Sequence, residues 1–181
     1  MATHSIHAVV LYASAQGSTR EIAHFIGLQL RSRGALVEVA DIEEAPALSG
    51  FNAVIIGSAI HNMAWLPAAA DYVRTHRDDL NSRDVWLFSV GLGPALRGPI
   101  GRWFGRQVPS RIAALRDSVA PRGYRSFAGR IERSGPWWVH WVYVAMGGGR
   151  YGDLRDWESI LAWSETIAGE LRLSDAASTH Q

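Results

Sequence analysis

The stretch HAVVLYASAQGSTREIAHFIGLQL, His7 to Leu30, decides the fold class. It begins with a nearly continuous apolar run, which is what a strand buried on both faces of a parallel sheet requires. Small and uncharged polar residues follow at 14–19, and a helical pattern begins at once from Ser18. A strand that turns directly into a helix is the first half of a β-α-β unit, so this stretch predicts an α/β sheet.

The same alternation continues along the chain. The predicted strands after the first are 35–41, 51–58, 84–90 and 124–131. The predicted helices are 18–33, 66–80, 109–119 and 153–173. We therefore expect one α/β domain over residues 1–173, with a doubly wound five-stranded parallel sheet and helices on both faces. A long insert is expected near the last strand, at about 133–150, and a disordered tail at 174–181.

The composition excludes several chemistries. The 181 residues include neither cysteine nor lysine. The 18 residues counted as lysine plus arginine are therefore all arginines. This removes disulfides, thiolate metal sites, cysteine nucleophiles, lysine Schiff bases and the phosphate-binding lysine of P-loop NTPases. The histidines show neither H-x-x-x-H nor H-x-H spacing, so no metal site is expected.

The beginning of the chain has no basic n-region. No apolar run reaches the roughly 18 residues that a transmembrane helix needs. Together with the lack of cysteine, this leads us to expect a cytoplasmic location.

The arginines are concentrated in one region. Between residues 91 and 136 there are nine arginines and two acidic residues, although the whole chain carries a net charge of only +1. A local excess of cations is typical of a surface that meets phosphate, carboxylate or lipid headgroups, but it is also found on ordinary solvated surfaces. We expect no nucleic-acid partner.

The loop 14–19 has the features of an anion site. It lies between the first predicted strand and the first helix, where free backbone N–H groups and the helix dipole favour negative charge. Gly17 lets the backbone close around a phosphate. Hydroxyl donors come from Ser14, Ser18 and Thr19. The alternative is an ordinary capping box formed by Ser18 and Glu21, whose carboxylate would also lie near a bound phosphate.

Two more loops are expected at the same edge of the sheet, GSAIHNMAWLP after the third strand and SVGLGP after the fourth. With loop 14–19 they form a site suited to a phosphate and a flat ring. The chain resembles the flavodoxin fold, whose phosphate loop reads approximately T/S-x-T-G-x-T/S. Ser14, Gly17 and Thr19 match this pattern. Gln16 stands where threonine is usual, and its amide can donate in place of the hydroxyl.

Within that fold, the chain is similar to the menaquinone-dependent protoporphyrinogen oxidases, which carry a long insert. The similarity includes the phosphate loop and the segments GSAIHNMAW, WLFSVGL, SFAGRI, PWWVHWVYVAMGGG and RDWESILAW. It implies an FMN-dependent oxidoreductase of heme biosynthesis that oxidises protoporphyrinogen IX to protoporphyrin IX and passes the electrons through FMN to a quinone. The alternatives are a flavodoxin-type electron-transfer protein, an FMN-dependent quinone reductase with another donor, or a domain that has lost the flavin.

The resemblance also implies roles for individual residues. The FMN phosphate would be bound by Ser14, Ala15, Gln16, Gly17, Ser18 and Thr19. The isoalloxazine ring would be lined by Ser58, Ala59, Ile60, His61 and Asn62 on one side and by Ser89, Val90, Gly91, Leu92 and Gly93 on the other. Trp65 is the nearest candidate for stacking on the ring, although a tryptophan there is at least as often a core residue. No catalytic side chain is assigned; His61 could relay a proton, but a lone histidine is more often a hydrogen-bonding or surface residue.

The residues expected to contact substrate or membrane are Arg97, Arg102, Arg106, Trp137, Trp138 and Trp141. Arginines pair with carboxylates such as the propionates of a porphyrinogen, and aromatic rings suit its macrocycle. The tryptophans either reach a membrane surface where a quinone dissolves, line a pocket, or form the core of the insert. The first interpretation places the protein peripherally on the inner membrane face. The resemblance leaves a homodimer open.

Overall fold

The structure is a computed structural model that describes residues 5–92, 108–131 and 152–173. Its strands are β1 (His7–Ala13), β2 (Leu36–Asp41), β3 (Ala53–His61), β4 (Ala64–Trp65), β5 (Asp84–Gly91), β6 (Gly123–Ala128), β7 (Arg130–Ile131) and β8 (Gly152–Asp153). Its α-helices are α1 (Ser18–Ser32), α2 (Pro67–Thr75), α3 (Arg77–Asn81), α4 (Ser110–Val119) and α5 (Trp157–Glu170). Two short 3₁₀ turns, Ile42–Glu44 and Leu48–Gly50, lie between β2 and β3.

The main sheet is parallel and has the strand order β2-β1-β3-β5-β6. This confirms the predicted doubly wound α/β architecture. The order reverses between β1 and β3, because the chain moves outward from β1 to β2 and then crosses to the other side. In such sheets ligands bind beyond the carboxyl ends of the strands at this switch point.

Apolar side chains fill both faces of the sheet. In β5, Trp86 and Phe88 belong to the cluster formed with α1 and α5, whereas Val85 and Leu87 belong to the cluster formed with α2, α3 and α4. All four side chains are almost fully buried. Burial of alternate residues on opposite faces explains why the strands read as continuous apolar runs. The Phe88 ring lies across Gly57 of β3, where a Cβ atom would overlap it.

The third predicted strand is longer than expected. It continues to His61 and then folds back as β4, which pairs antiparallel with its end. The predicted helix over 66–80 is divided into α2 and α3, because the backbone of His76, with φ −101° and ψ 19°, leaves the helical region.

The last predicted strand and helix also have different bounds. The strand divides at Gly129 into β6 and β7, and β7 pairs antiparallel with β8. The helix begins at Trp157 because the carboxylate of Asp156 accepts a hydrogen bond from the Ser159 N–H at 3.1 Å and caps it. The β7–β8 pairing places residues 131 and 152 opposite each other. The predicted insert, 133–150, and the predicted tail, 174–181, lie outside the described residues.

Candidate functional site

The loop 14–19 joins β1 to α1 at the switch point. Gly17 is the N-cap of α1 and has φ 89°, a left-handed conformation that glycine adopts without strain. Its N–H donates to Ser14 Oγ at 2.9 Å, and its carbonyl accepts the first helical bond, from the Glu21 N–H, at 3.0 Å. The N–H groups of residues 18–20 therefore precede the first hydrogen bond of the helix. Ala15 and Gln16 are exposed, so this amino end of α1 is open to an anion.

The capping box considered from the sequence is not formed. The N-cap is Gly17, and no side chain caps the helix. The Ser18 hydroxyl instead accepts a hydrogen bond from the Arg130 N–H at 3.0 Å, which attaches β7 to the start of α1. Thr19 is buried, with 1% of its surface exposed. Ser14 and Ser18 each accept one hydrogen bond in the protein and keep a hydroxyl proton that can be donated to a ligand.

Glu21 forms an ion pair with Arg155. The same guanidinium binds Asp153 through two hydrogen bonds, Nε to Oδ1 at 2.7 Å and Nη2 to Oδ2 at 2.6 Å, and it lies 4.6 Å from the centroid of the Trp157 ring. The hydrogen bond to Asp153 raises the pKa of Arg155 above its already high ordinary value and lowers the pKa of Asp153. Arg155 thus holds a permanent positive charge against the first turn of α1.

The segment after Ser58 is a tight hairpin. Asn62 and Met63 form a two-residue turn, and both have left-handed backbones, with φ 48° and 60°. Turns of this kind fit the twist of a hairpin and favour asparagine or glycine. Met63 is therefore strained by about 1 kcal/mol. Its side chain is 65% exposed, and His61 is exposed beside it.

Buried Ser58 anchors the beginning of this hairpin to its end. Its hydroxyl accepts a hydrogen bond from the Leu66 N–H at 3.0 Å and donates to the Ala59 carbonyl at 2.9 Å. The side chain is fully buried, and its hydrogen bonds support the hairpin from beneath.

Buried Ser89 anchors the hairpin from the neighbouring strand. It lies opposite Ser58 in the β3–β5 register, and its hydroxyl is 2.7 Å from Trp65 Nε1 and 2.8 Å from the Tyr124 hydroxyl. Burial raises the pKa of Tyr124. Trp65 is only 4% exposed, so this stacking candidate is a core residue whose indole N–H bonds to Ser89.

The third loop begins at the end of β5. The Gly91 carbonyl accepts a hydrogen bond from the Gly129 N–H at 3.3 Å, and a Cβ on Gly91 would lie 3.2 Å from Ile60. The end of β5 is therefore packed directly against the hairpin. Leu92 follows and is 48% exposed.

These contacts bring all of the predicted cofactor residues that the structure describes to one edge of the sheet. Gly93 and the predicted substrate or membrane residues, Arg97, Arg102, Arg106, Trp137, Trp138 and Trp141, lie outside the described residues. The sequence interpretation missed Met63 as an exposed apolar residue of the site. It also missed Arg130 and Arg155, which no local pattern connects to a loop more than a hundred residues earlier.

Two further findings apply to residues 5–92, 108–131 and 152–173. They contain no group of three histidine or acidic residues that could hold a metal ion. None of the helices within these ranges combines the length and apolar character needed to cross a membrane.

Comparison with known proteins agrees with this geometry. Protoporphyrinogen IX dehydrogenase [quinone] of Escherichia coli strain K12 is 24% identical over 177 residues, which cover 88% of this chain and 93% of that protein. Among solved structures, a mutant of flavodoxin from Pseudomonas aeruginosa gives a TM-score of 0.58 at 13% identity, covering 92% of this chain and 99% of that one.

Rubredoxin oxygen:oxidoreductase from Desulfovibrio gigas gives a TM-score of 0.59 at 17% identity, and the match covers 92% of this chain but only 36% of that longer chain. The structural likenesses show the fold. The family model described as "Flavodoxin domain" matches residues 9–146. The chain therefore belongs to the flavodoxin-domain family.

Proposed function

We propose that the protein is an FMN-dependent oxidoreductase that takes electrons from protoporphyrinogen IX, or a similar reduced donor, and passes them to a quinone. The observation that carries the FMN assignment is the open loop 14–19 beside the hairpin after Ser58. The choice of donor and acceptor is supported by the 24% identity to protoporphyrinogen IX dehydrogenase [quinone], which extends over most of both chains.

The residues at this edge fit FMN. The N–H groups of residues 18–20 and the hydroxyl protons of Ser14 and Ser18 would hold its phosphate, and Gly17 leaves the approach open because no atom lies within 4 Å of its absent Cβ. The backbone of residues 59–62 and 90–92 would orient the flat ring. Bound FMN supplies the two-electron chemistry, while the protein supplies position and electrostatics.

Two exposed apolar side chains, Met63 and Leu92, give the site an apolar surface. Met63 follows β3 and Leu92 follows β5, so both lie at the edge where the ring would be placed. They would exclude water from the ring and offer an apolar surface to a donor or a quinone. His61 remains the candidate for moving a proton at this edge, because its side chain is exposed there.

The proposed roles of the arginine and tryptophan segments rest on the sequence. Arg97, Arg102 and Arg106 would pair with substrate carboxylates or anionic lipid, and the tryptophans of the insert would contact the substrate or the membrane surface from which a quinone comes. Replacing the three arginines together should weaken binding of the porphyrinogen or of anionic vesicles and leave FMN bound. Unchanged binding of both would exclude this role.

A pair of glycine variants tests the FMN site. Gly17 and Gly34 have φ angles of 89° and 88° and lie at opposite ends of α1. Gly17→Asp and Gly34→Asp therefore introduce the same strain and the same charge. We expect both to lower stability by about 1–2 kcal/mol, and only Gly17→Asp to abolish FMN binding in a fluorescence titration. Equal FMN affinity in the two variants would contradict a phosphate site at loop 14–19.

The reaction is tested by anaerobic mixing of the FMN-loaded protein, in at least about threefold excess, with protoporphyrinogen IX, followed by a quinone, because each FMN takes two electrons and the full oxidation needs three such steps. We expect flavin absorbance to bleach as porphyrin fluorescence appears, and to recover when the quinone is added. A flavin that stays oxidised would exclude protoporphyrinogen IX as the donor without contradicting the FMN site. A stable one-electron reduced flavin without turnover with the quinone would favour the electron-transfer alternative.

A further inference from the structure

Arg155 is held more firmly than a surface arginine. Its side chain is 6% exposed, and it joins Glu21 in the first turn of α1 to Asp153 at the end of β8. The Arg155 N–H also donates to Asp153 Oδ1 at 3.1 Å, and the Trp157 ring covers the guanidinium. These contacts fix both the position of the charge and the direction of its hydrogen bonds.

Arg155 places a positive charge beside Glu21, at the amino end of α1. Glu21 is the acidic residue of the first turn of α1, and 52% of its side chain is exposed. A phosphate monoester bound at loop 14–19 carries close to two negative charges and would be repelled by an unpaired carboxylate one turn away. Residues 14–19 contain no basic side chain, and Arg20, which follows them, is exposed.

We infer that Arg155 is a positioning residue for the flavin phosphate. Its guanidinium pairs with Glu21 and with Asp153, and Arg130 adds a second positive charge near Asp153, so the carboxylate of Glu21 is compensated and the first turn of α1 is held where loop 14–19 would accept a dianion. The inference rests on the proposed FMN cofactor. It makes the chain selective for the phosphorylated flavin, because only a ligand with a phosphate experiences the charge of Glu21.

The test compares FMN with riboflavin, which lacks the phosphate. Affinities are measured by flavin fluorescence for the full chain and for Arg155→Met, Arg155→Lys, Glu21→Gln and the double variant Arg155→Met with Glu21→Gln. We expect Arg155→Met to weaken FMN about tenfold. Riboflavin binding should change by less than about twofold, because the ring and ribityl contacts remain.

The double variant should recover part of the lost FMN affinity, since it removes Glu21, the nearer to α1 of the two carboxylates that Arg155→Met leaves without their partner, and retains Asp153. The FMN affinity of Arg155→Lys should lie between those of the unaltered protein and Arg155→Met. Lysine keeps the positive charge but cannot form the bidentate hydrogen bond to Asp153. Glu21→Gln alone should bind FMN at least as tightly as the unaltered protein. Its side chain is half exposed, so it keeps the test informative if Arg155→Met fails to fold.

Arg33→Met is the matched control. Arg33, which follows the other end of α1, pairs with Glu165 of α5 at 2.9 Å, and this is likewise an ion pair between α1 and a distant part of the chain. It should leave the ratio of FMN to riboflavin affinity unchanged. Equal weakening of both flavins by Arg155→Met, or no recovery in the double variant, would overturn the inference. If the unaltered protein binds neither flavin, the proposed function fails as well; if it binds FMN but does not oxidise the porphyrinogen, only the proposed reaction fails.

Discussion

Ser89→Ala removes the shared hydrogen-bond partner of Trp65 and Tyr124. The Trp65 indole N–H would be left buried without a partner, which costs about 2 kcal/mol. The half-buried Tyr124 hydroxyl can turn toward Ser126 or water. Losing its hydrogen bond to Ser89 therefore adds only about 0.5 kcal/mol. We therefore expect the free energy of unfolding to fall by about 2.5 kcal/mol, and Tm to fall by about 5–10 °C for a domain of this size.

The measurement is urea denaturation of the flavin-free protein at pH 7, followed by circular dichroism and by tryptophan fluorescence. Ser164→Ala is the control, because Ser164 and Ser89 are both fully buried. The Ser164 hydroxyl donates only to the carbonyl of Ile160 one turn earlier in α5, at 2.8 Å. Its removal leaves no unpaired donor and should change stability by less than about 0.5 kcal/mol. A Ser89→Ala effect as small as that of the control would refute the anchoring role of Ser89.

Three further predictions concern other parts of the fold. Gly57→Ala should lower stability by about 2–3 kcal/mol in urea denaturation, because its Cβ would overlap the Phe88 ring. Adding Phe88→Leu should recover part of this loss, and a purely additive double variant would contradict the overlap. Met63→Gly should stabilise the flavin-free protein by up to about 1 kcal/mol by relieving the left-handed backbone; a lower Tm would show that the methionine packs. Asp156→Ala should lower stability by about 1 kcal/mol at pH 7. Hydrogen bonds from Ser159 lower the pKa of Asp156 in the folded state, so its contribution is complete above its ordinary pKa of 3.8. The stabilisation by Asp156 is lost as the pH falls below 3.8 and through its lowered pKa. The difference in free energy of unfolding between the unaltered protein and Asp156→Ala should shrink over the same pH range.

The parts of the fold that local patterns determine were predictable. Four strands followed from apolar runs, since a parallel sheet buries both faces of each strand, and the fifth followed from the alternation of strands and helices. Loop 14–19 followed from the change of pattern between β1 and α1. The turn at Asn62 and Met63 did not follow, because methionine rarely adopts a left-handed backbone and the pattern gives no reason to place it there.

The support of the candidate site was much less predictable. Ser58 and Ser89 were predicted where their strands end, but β3 continues to His61, and the hydrogen bonds of the two hydroxyls depend on β4, which the sequence did not reveal. The Ser18 and Glu21 pattern allowed a capping box as an alternative, but in the structure Ser18 bonds to Arg130 and Glu21 pairs with Arg155. Tertiary contacts replaced the local hydrogen bonds that the spacing favours.

The Ser18 and Glu21 contacts have a consequence for the order in which the protein matures. Their partners, Arg130 and Arg155, lie 112 and 134 residues further along the chain. On the ribosome, β1, loop 14–19 and α1 emerge long before either arginine, since chains grow at about 5–20 residues per second. The phosphate loop of the nascent chain is therefore without its supports until nearly the whole domain has been synthesised. Competence to bind flavin should arise as one of the last steps of biosynthesis, even though the loop itself is among the first segments made.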